Sequence, residues 1–447
     1  MSGVKDIFLS VIGDNILKGE HVPPRKRPTG DPELGKAIRT ARKKAKVTQQ
    51  ELAQILGFSK RDIIIGVERG KIGLFEDELK KIHSYLQVLD NTQLILREPA
   101  SRPSIADLQA RYHAEKKQWV AADHGVPYVA VFPLMDAPLQ LLTRQQVKRG
   151  RLHQLQYHIP THKLSHDLCE QIIASYKNLA PNAMIYDGTK KARLVTARYD
   201  ADTSTLRLAY ALGTYYDNLI THRLLDYLLL STEEKQLAAQ TTLRDIFEPD
   251  TGDGHLPALG LKSALANTLG RGGLVITQDD HLILVRRSDR VVADANLYDL
   301  SVQGSADIHD ITAHTYDVFA DFKQEAKDEL CIATSAWVRL PGRAEALWLM
   351  ALVRNAAQGG KPDILFLGKT SETIDVIKIN AAKAEHHWEN RFATSVPPET
   401  TMDELRVRLN PSNNHSPACR AALALLIRWA EEHHLVTIRD ISEKLGS

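Results

Sequence analysis

The sequence predicts a multidomain protein in which an all-α domain near the N-terminus is followed by a longer α+β part. The chain has 447 residues, which is enough for roughly two to four domains. Residues 34–89 carry apolar side chains at helical spacing, with capping signals between the runs. From residue 125 onward, short runs of alternating apolar residues indicate strands between helices.

Composition excludes several classes of protein. Apolar residues make up 43% of the chain and charged residues 25%, and the formal net charge is +2, as in an ordinary globular protein. Cys169, Cys331 and Cys419 form no CxxC pair, which argues against a disulfide framework or a zinc finger. No apolar run approaches the roughly 20 residues of a membrane span, and the N-terminus lacks a secretory pattern. We therefore expect a cytoplasmic protein without a membrane partner.

Shifts in composition divide the chain into five expected segments. The helical domain spans 28–92, and the stretch LREPASRPS, with its two prolines, opens a linker and helix over 93–124. We expect an α+β middle domain over 125–260, in which QVKRGRLHQLQYH is a surface connection, and a second α+β domain over 261–398. A closing helical segment is expected over 399–447, with Ser416 as the N-cap of its helix and Pro417 in the first turn.

The stretch LGKAIRTARKKAKVTQQELAQILGFSKRDIIIGVERG indicates three helices separated by turns. Thr48, followed three residues later by Glu51, is a capping-box signal at the start of the second helix. Basic residues crowd positions 25–46, and such a block attracts phosphate backbones, although a solvated helix face produces the same pattern. The residues of the second helix expected to face inward are Leu52, Ala53 and Leu56.

Residues 34–89 resemble the Cro/repressor-type helix-turn-helix domain of the XRE family, through the words LGKAIR, TQQELAQILGFS and VERGK. The resemblance implies double-stranded DNA as a partner and a homodimer on a two-fold site. The DNA-binding residues that it implies are Gln49, Gln50, Ser59, Lys60, Arg61 and Asp62. Arg61 is the candidate for a base edge, because a guanidinium binds guanine in bidentate fashion. A protein-binding helix bundle of the same fold stays an alternative.

Within 261–398, GGLVIT and HLILVRRS are alternating strands around a short turn and predict a hairpin. A third strand, LYDLSVQGS, and a helix near 316–331 follow, and then two strands at WVRL and EALWLMALVRN. The helix would place three carboxylates on one face, because their spacing is i, i+3 and i+4. These carboxylates, which would need water or a divalent cation to offset their repulsion, are Glu325, Asp328 and Glu329. The hairpin residues expected in the core are Leu274, Ile276, Ile283 and Val285.

Residues 266–397 resemble a Nudix domain through LILVRRS, QEAKDELCI and KPDILFLG. The resemblance implies Mg²⁺ held by Glu325, Asp328 and Glu329, bridging to the phosphates of a nucleotide-derived ligand. The chain departs from the family pattern at several points of the box, and two of them are replacements of single residues near the carboxylates. Gln324 stands where the family has an arginine that orients the glutamates, and Cys331 replaces the turn glycine.

These patterns predict a DNA-binding transcriptional regulator whose Nudix-like domain senses a nucleotide-derived small molecule. The alternative is an active Mg²⁺-dependent Nudix hydrolase of a nucleoside diphosphate derivative with a DNA-binding head, in which Glu329 would be catalytic. Arg286 and Arg287, on the hairpin, are the candidates for contact with the ligand's phosphates, although a rim pairing with nearby aspartates is an equal alternative.

Overall fold

The computed structural model describes a large part of the chain as two compact units, Met1–Thr92 and Gln93–Ser447. The described residues are 27–44, 47–56, 58, 61–75, 78, 94–99, 101–156, 164, 166–180, 190–231, 241–248, 252–289, 291, 294–308, 314–340, 345–386 and 389–446.

The small unit contains three described helices at the predicted places: α1 Pro32–Lys44, α2 Gln49–Ile55 and α3 Asp62–Glu68. The predicted capping box is confirmed, because the Thr48 amide donates to Glu51 Oε2 at 2.6 Å and the Glu51 amide donates to Thr48 Oγ1 at 3.2 Å. The predicted inward residues of α2 are also confirmed. The buried apolar core consists of Ile38, Val47, Leu52, Ala53, Leu56, Ile64, Val67 and Leu74.

The large unit is an α+β structure whose strands and helices alternate irregularly along the chain. Its strands are β1 Leu94–Arg97, β2 Trp119–Val120, β3 Tyr128–Phe132, β4 Val147–Gln156, β5 Lys190–Asp200, β6 Thr205–Thr214, β7 Leu228–Ser231, β8 Thr241–Thr242, β9 Gly270–Ile276, β10 Leu282–Arg287, β11 Tyr298–Asp299, β12 Val302–Ser305, β13 Thr315–Tyr316, β14 Leu347–Asn355, β15 Lys361–Lys369 and β16 Asn390–Val396.

Helices connect and cover these strands. The α-helices are α4 Ile105–Arg111, α5 His166–Leu179, α6 Tyr215–Asn218, α7 Leu243–Phe247, α8 Val318–Leu330, α9 Ile374–Ala381, α10 Met402–Val407, α11 Pro417–Glu432 and α12 Ile438–Gly446. A π-helical turn at Leu219–Arg223 continues α6. Every described helix is too short or too polar to cross a lipid bilayer.

Three sheets organise the described part of the large unit. The largest runs β11-β10-β9-β15-β14-β3-β2, with β12 also paired to β9 and β16 to β10. The second runs β13-β4-β6-β5, and the third β1-β7-β8. Strand β3 pairs with β14, and β13 pairs with β4. Strand pairing therefore crosses the expected boundary between residues 260 and 261, in both directions.

The predicted hairpin is confirmed as the antiparallel pair of β9 and β10, and its four predicted core residues are buried. The predicted helix is confirmed as α8, and the predicted third strand is divided into β11 and β12. Two expectations are wrong. WVRL forms no strand, since Trp337 makes only an isolated bridge to Thr370.

The second error concerns QVKRGRLHQLQYH, which was expected to be a surface connection but contains the ten-residue strand β4. Lys148 and Arg151 are exposed, whereas Val147 and Leu152 are buried. Because charged residues occupy the exposed face of β4, the alternation of apolar and polar residues was not evident in the sequence. Gly150 allows the ring of Tyr210 to lie directly on the backbone, because a Cβ there would meet Tyr210 Cε2 at 2.1 Å.

The closing segment forms α11 as its capping signals indicate. Ser416 is the N-cap, its hydroxyl accepts a hydrogen bond from the Cys419 amide at 3.0 Å, and Pro417 occupies the first turn. Leu423 and Leu426 are fully buried in the same core as Leu274 of β9. The apolar face of α11 is therefore covered by the large sheet of its own chain.

We expect Gly304→Ala to lower the free energy of unfolding by about 1–3 kcal/mol, the usual cost of overpacking a well-packed region. Gly304 lies on β12 opposite Arg271, and an added Cβ would lie 1.8 Å from Glu325 Oε1. Chemical denaturation measures the change. Gly213→Ala on β6 is the matched control, since its nearest neighbours would lie at 3.7 Å. Equal costs for the two substitutions would contradict the packing described here.

Candidate ligand-binding site

A cavity of about 370 Å³ opens in the large unit, beside α8 and the strands β5, β9, β12 and β15. Its volume lies within the range of small-molecule sites. Charged side chains make up almost half of its lining residues, and basic groups outnumber acidic ones by six to five. The basic residues are Lys190, Lys191, Arg223, Arg271, Arg287 and Lys361, and the acidic residues are Asp294, Asp307, Glu325, Asp363 and Glu389.

Arg271 is the buried centre of this charge pattern. It lies on β9 between β12 and β15, in a strand otherwise made of glycine and aliphatic residues. Its Nη2 donates to Glu325 Oε2 at 2.7 Å, its Nε lies 2.9 Å from Asp321 Oδ2, and its Nη1 donates to the Ser305 carbonyl. Asp307 Oδ2 is 3.7 Å from Nη2. One guanidinium therefore compensates three carboxylates.

The electrostatics of the cluster follow from burial and from these ion pairs. Burial opposes the charge of Arg271, but Asp321 and Glu325 outweigh it and raise the pKa of the guanidinium. Burial raises the pKa of Asp321 to about 6, although Arg271 acts in the opposite direction. The cluster is therefore held together by the arginine, and Asp321 depends on it to stay ionised near neutral pH.

The three helix carboxylates of the predicted Mg²⁺ site have separate partners. Glu325 binds Arg271, whereas Asp328 accepts a hydrogen bond from Gln324 Nε2 at 2.7 Å. Glu329 accepts from the Gln303 amide at 3.0 Å, and its Oε1 is buried without a hydrogen-bond partner. Burial, and secondly Glu325, raise the pKa of Glu329 well above its usual range.

This arrangement does not fit a resident Mg²⁺ ion. Mg²⁺ takes ionised oxygen ligands that converge on one point, but here the three carboxylates have separate partners and one of them is held by an arginine. Within the described ranges, no three His, Cys, Asp or Glu side chains are grouped so that they could hold a metal ion. The positive charge beside Glu325 comes from the protein itself.

The two arginines of the predicted ligand contact point to different places. Arg287 lines the cavity, with its Nε 3.7 Å from Asp299 Oδ2 and its Nη2 3.9 Å from Glu389 Oε2. Arg286 does not line the cavity, and its Cζ lies 5.7 Å from the centre of the Tyr298 ring. Of the two arginines, only Arg287 therefore lines the cavity.

Sequence reasoning missed most of the cavity's charged groups. Lys361 is 3% exposed and forms an ion pair with Asp363. Lys191 Nζ lies 2.5 Å from Asp307 Oδ1 and 5.9 Å from the ring centre of Tyr215. These residues belong to no motif. Arg271 did carry a signal, because a single arginine inside the glycine-rich apolar run GRGGLVI must be compensated by acids wherever that strand is central.

The predicted DNA-binding residues belong to the small unit and differ in their exposure to solvent and in their contacts. Gln50, Arg61 and Asp62 are exposed, while Ser59 and Lys60 lie outside the described residues. Gln49 is half-buried, and its Nε2 donates to Glu68 Oε2 at 2.7 Å. The same glutamate forms a buried ion pair with Arg42 of α1. The Gln49 side chain therefore helps to join α1, α2 and α3.

No protein-family model matches the chain, and no curated protein matches it either. Several solved structures are similar to part of it, including the following two. One is a crystal structure of the protein DR0079 from Deinococcus radiodurans, at 16% identity and a TM-score of 0.25, covering 36% of this chain and 81% of that chain. The other is Tm1382, provisionally described as a Nudix hydrolase, at 13% identity and a TM-score of 0.23, covering 36% and 70%. Similarity at this level identifies neither a family nor an activity.

We expect Arg271→Gln to lower the free energy of unfolding by about 3–5 kcal/mol at pH 7, the usual cost of leaving buried charges unpaired. The difference in the free energy of unfolding between wild type and this variant should become smaller as the pH falls towards 5. Without the guanidinium, burial would raise the pKa of the Asp321 carboxyl further above its unfolded value. The folded variant would then bind more protons than the unfolded chain, so acid favours folding.

Denaturation curves at several pH values measure this effect. Arg354→Gln is the control, because this arginine is also buried but donates to the carbonyls of Gly360 and Pro257, at 2.8 and 2.6 Å. Loss of the Arg354 guanidinium leaves no carboxylate without its ion-pair partner. The substitution should therefore lower the free energy of unfolding by an amount that changes little with pH. Identical pH profiles for the two variants would contradict the assigned role of Arg271.

Proposed function

We propose that this protein is a DNA-binding regulator whose large unit binds a nucleotide-derived anion without hydrolysing it. The observation that carries the proposal is the ion cluster of Arg271, Asp321 and Glu325 beside a charged cavity. A metal-dependent hydrolase needs free carboxylates at this place, whereas here an arginine binds one of them. The protein could then bind the ligand without carrying out the metal-dependent hydrolysis.

The chemistry of the cavity supports an anionic ligand. Its basic residues come from separate strands and turns, and their side chains are half-buried or buried. Ion pairs with phosphate are strong in such partly desolvated surroundings, because the guanidinium and ammonium donors form charge-assisted hydrogen bonds. The Nudix resemblance of the β9–β10 hairpin and of α8 adds the expectation that the anion belongs to a nucleotide derivative.

The surface charge of the small unit supports the DNA-binding part of the proposal. Lys36, Arg39 and Lys43 are exposed on α1, and Arg61 is exposed at the start of α3. Exposed basic groups on neighbouring helices of a small bundle suit a phosphate backbone, and α3 has the position of a recognition helix in the helix-turn-helix resemblance. The ligand would act by changing the free energy of DNA binding.

We expect purified protein to retain at least one compound of a nucleotide panel and to convert none. The panel contains ADP-ribose, NAD, dinucleoside polyphosphates and nucleoside triphosphates, each with Mg²⁺, with Mn²⁺ or with EDTA. Mass spectrometry measures both the retained compound and any product. Retention should be equal in EDTA, because the charge that faces the ligand comes from side chains.

Glu329→Gln distinguishes the hydrolase alternative within the same experiment. A product that forms with wild-type protein and disappears with this variant would establish turnover and overturn the sensor proposal. Since Glu329 is buried and its pKa is raised, the neutral glutamine should leave retention unchanged. The variant therefore tests chemistry rather than binding.

We expect Arg61→Ala to weaken binding to DNA from upstream of the protein's own gene by about 1–3 kcal/mol, the range for loss of a bidentate base contact. Fluorescence anisotropy at several salt concentrations measures the affinity and its salt dependence. Arg61→Lys is the matched variant, since lysine keeps the positive charge but lacks the two guanidinium donors that make a bidentate contact. It should retain the salt dependence and lose sequence preference. Wild-type protein that fails to bind this DNA at low salt would contradict the DNA-binding role.

A further inference from the structure

We propose that the anionic group of the ligand binds at Arg223, Lys361 and Lys190, at the side of the cavity formed by the turn after α6 and not at the carboxylates of α8. This inference rests on the proposed function and deepens it. It assigns the ligand as an oxyanion, of the phosphate or pyrophosphate class, that also carries a hydrogen-bond donor. Most of the proposed subsite lies outside the Nudix-like region.

The ion pairs of the cavity account for four of its six basic residues and four of its five acidic ones, and the fifth acidic residue is Asp294. Asp307 is paired with Lys191, Glu325 with Arg271 and Asp363 with Lys361. Glu389 lies near Arg287. Within the described part of the chain, the side chains of Arg223 and Lys190 make no hydrogen bond or ion pair with protein groups. These two basic residues line the cavity and are therefore available to an anion.

Lys361 adds a third positive charge on the same side. It is buried at the start of β15, and burial lowers its pKa, with Arg223 contributing in the same direction. Lys361 and Arg223 line the same cavity, and Asp363 is the ion-pair partner of Lys361. An oxyanion bound between the two cations would stabilise the charged form of the lysine.

The turn that carries Arg223 is well fixed. Thr214 and Asp217 form a capping box at the start of α6. His222, next to Arg223, is fully buried, with its Nδ1 2.7 Å from the Gln358 carbonyl and its Nε2 accepting from the Asn267 amide at 2.8 Å. A side chain on such a turn loses little backbone entropy when it binds a ligand.

Asn218 provides the polar group that completes the subsite. Only 1% of the residue is exposed, it lines the cavity, and its Oδ1 has no hydrogen-bond partner. A buried amide oxygen without a partner lowers the stability of the fold, and a ligand N–H or O–H group would remove that cost. Tyr215, one turn earlier, also lines the cavity and offers a ring to a planar base.

The test is isothermal titration calorimetry of the full chain with ADP and with inorganic pyrophosphate, in EDTA. We expect Arg223→Gln to weaken binding of both probes at least about tenfold, Lys190→Gln to weaken it a few-fold, and Arg223→Lys to lie between wild type and the glutamine variant. Asn218→Ala should weaken ADP more than pyrophosphate, because pyrophosphate lacks the sugar hydroxyls and base of ADP.

Arg207→Gln is the matched control. It removes the same charge from an exposed position on β6, outside the cavity wall, and should leave both affinities unchanged. Equal melting temperatures of Arg223→Gln and wild type would exclude unfolding as the cause of any loss. If that variant melts lower, partial recovery of binding by Arg223→Lys at the same melting temperature supports the subsite, and no recovery overturns it.

Two further outcomes separate this inference from the proposed function. Wild-type affinity in Arg223→Gln, with loss in Arg287→Gln, would overturn the subsite while leaving an anion sensor in place. Failure of wild-type protein to bind either probe would overturn the subsite as well. The sensor proposal is judged independently, by whether any compound of the nucleotide panel is retained.

Discussion

The ion cluster around Arg271 is the interaction on which the arrangement of the large unit depends. The arginine lies in a central strand, and Asp321 and Glu325 reach it from α8. A charge buried in a sheet is tolerated only with compensating partners, so the position of β9 and the orientation of α8 are fixed together. Gly304 allows this approach because it leaves room for the carboxylate of Glu325.

The same cluster changes how the three carboxylates on the acidic face of α8 are interpreted. Carboxylates at i, i+3 and i+4 suggest one shared ion, because helical geometry places them side by side. In this fold the three groups meet different neighbours: a buried arginine, a glutamine of the same helix and a backbone amide. Spacing along a helix determines which side chains share a face, but the strands packed against that face determine what each one binds.

Elements with strong local signals could be predicted from the sequence, and elements stabilised by distant pairing could not. The capping box at Thr48 and the N-cap at Ser416 depend on residues within one helical turn, and both were evident. Strand β4 carries charges on its exposed face and pairs in parallel with β6, more than fifty residues away, so it was missed. The charged residues of the cavity were missed for the same reason, because three separate segments bring Lys190, Arg223 and Lys361 together.

The exchange of strands across residue 260 limits how the large unit can be divided into fragments. Strands β2 and β3 extend the large sheet beyond β14, while β13 returns to the sheet of β4. A fragment that begins at residue 261 would expose the backbone hydrogen-bonding groups of β14, in a strand whose residues are all buried. Bare apolar edges of this kind recruit other strands and promote aggregation. The preceding segment thus protects the sheet as an intramolecular cover, and the residues on both sides of position 260 form one folding unit.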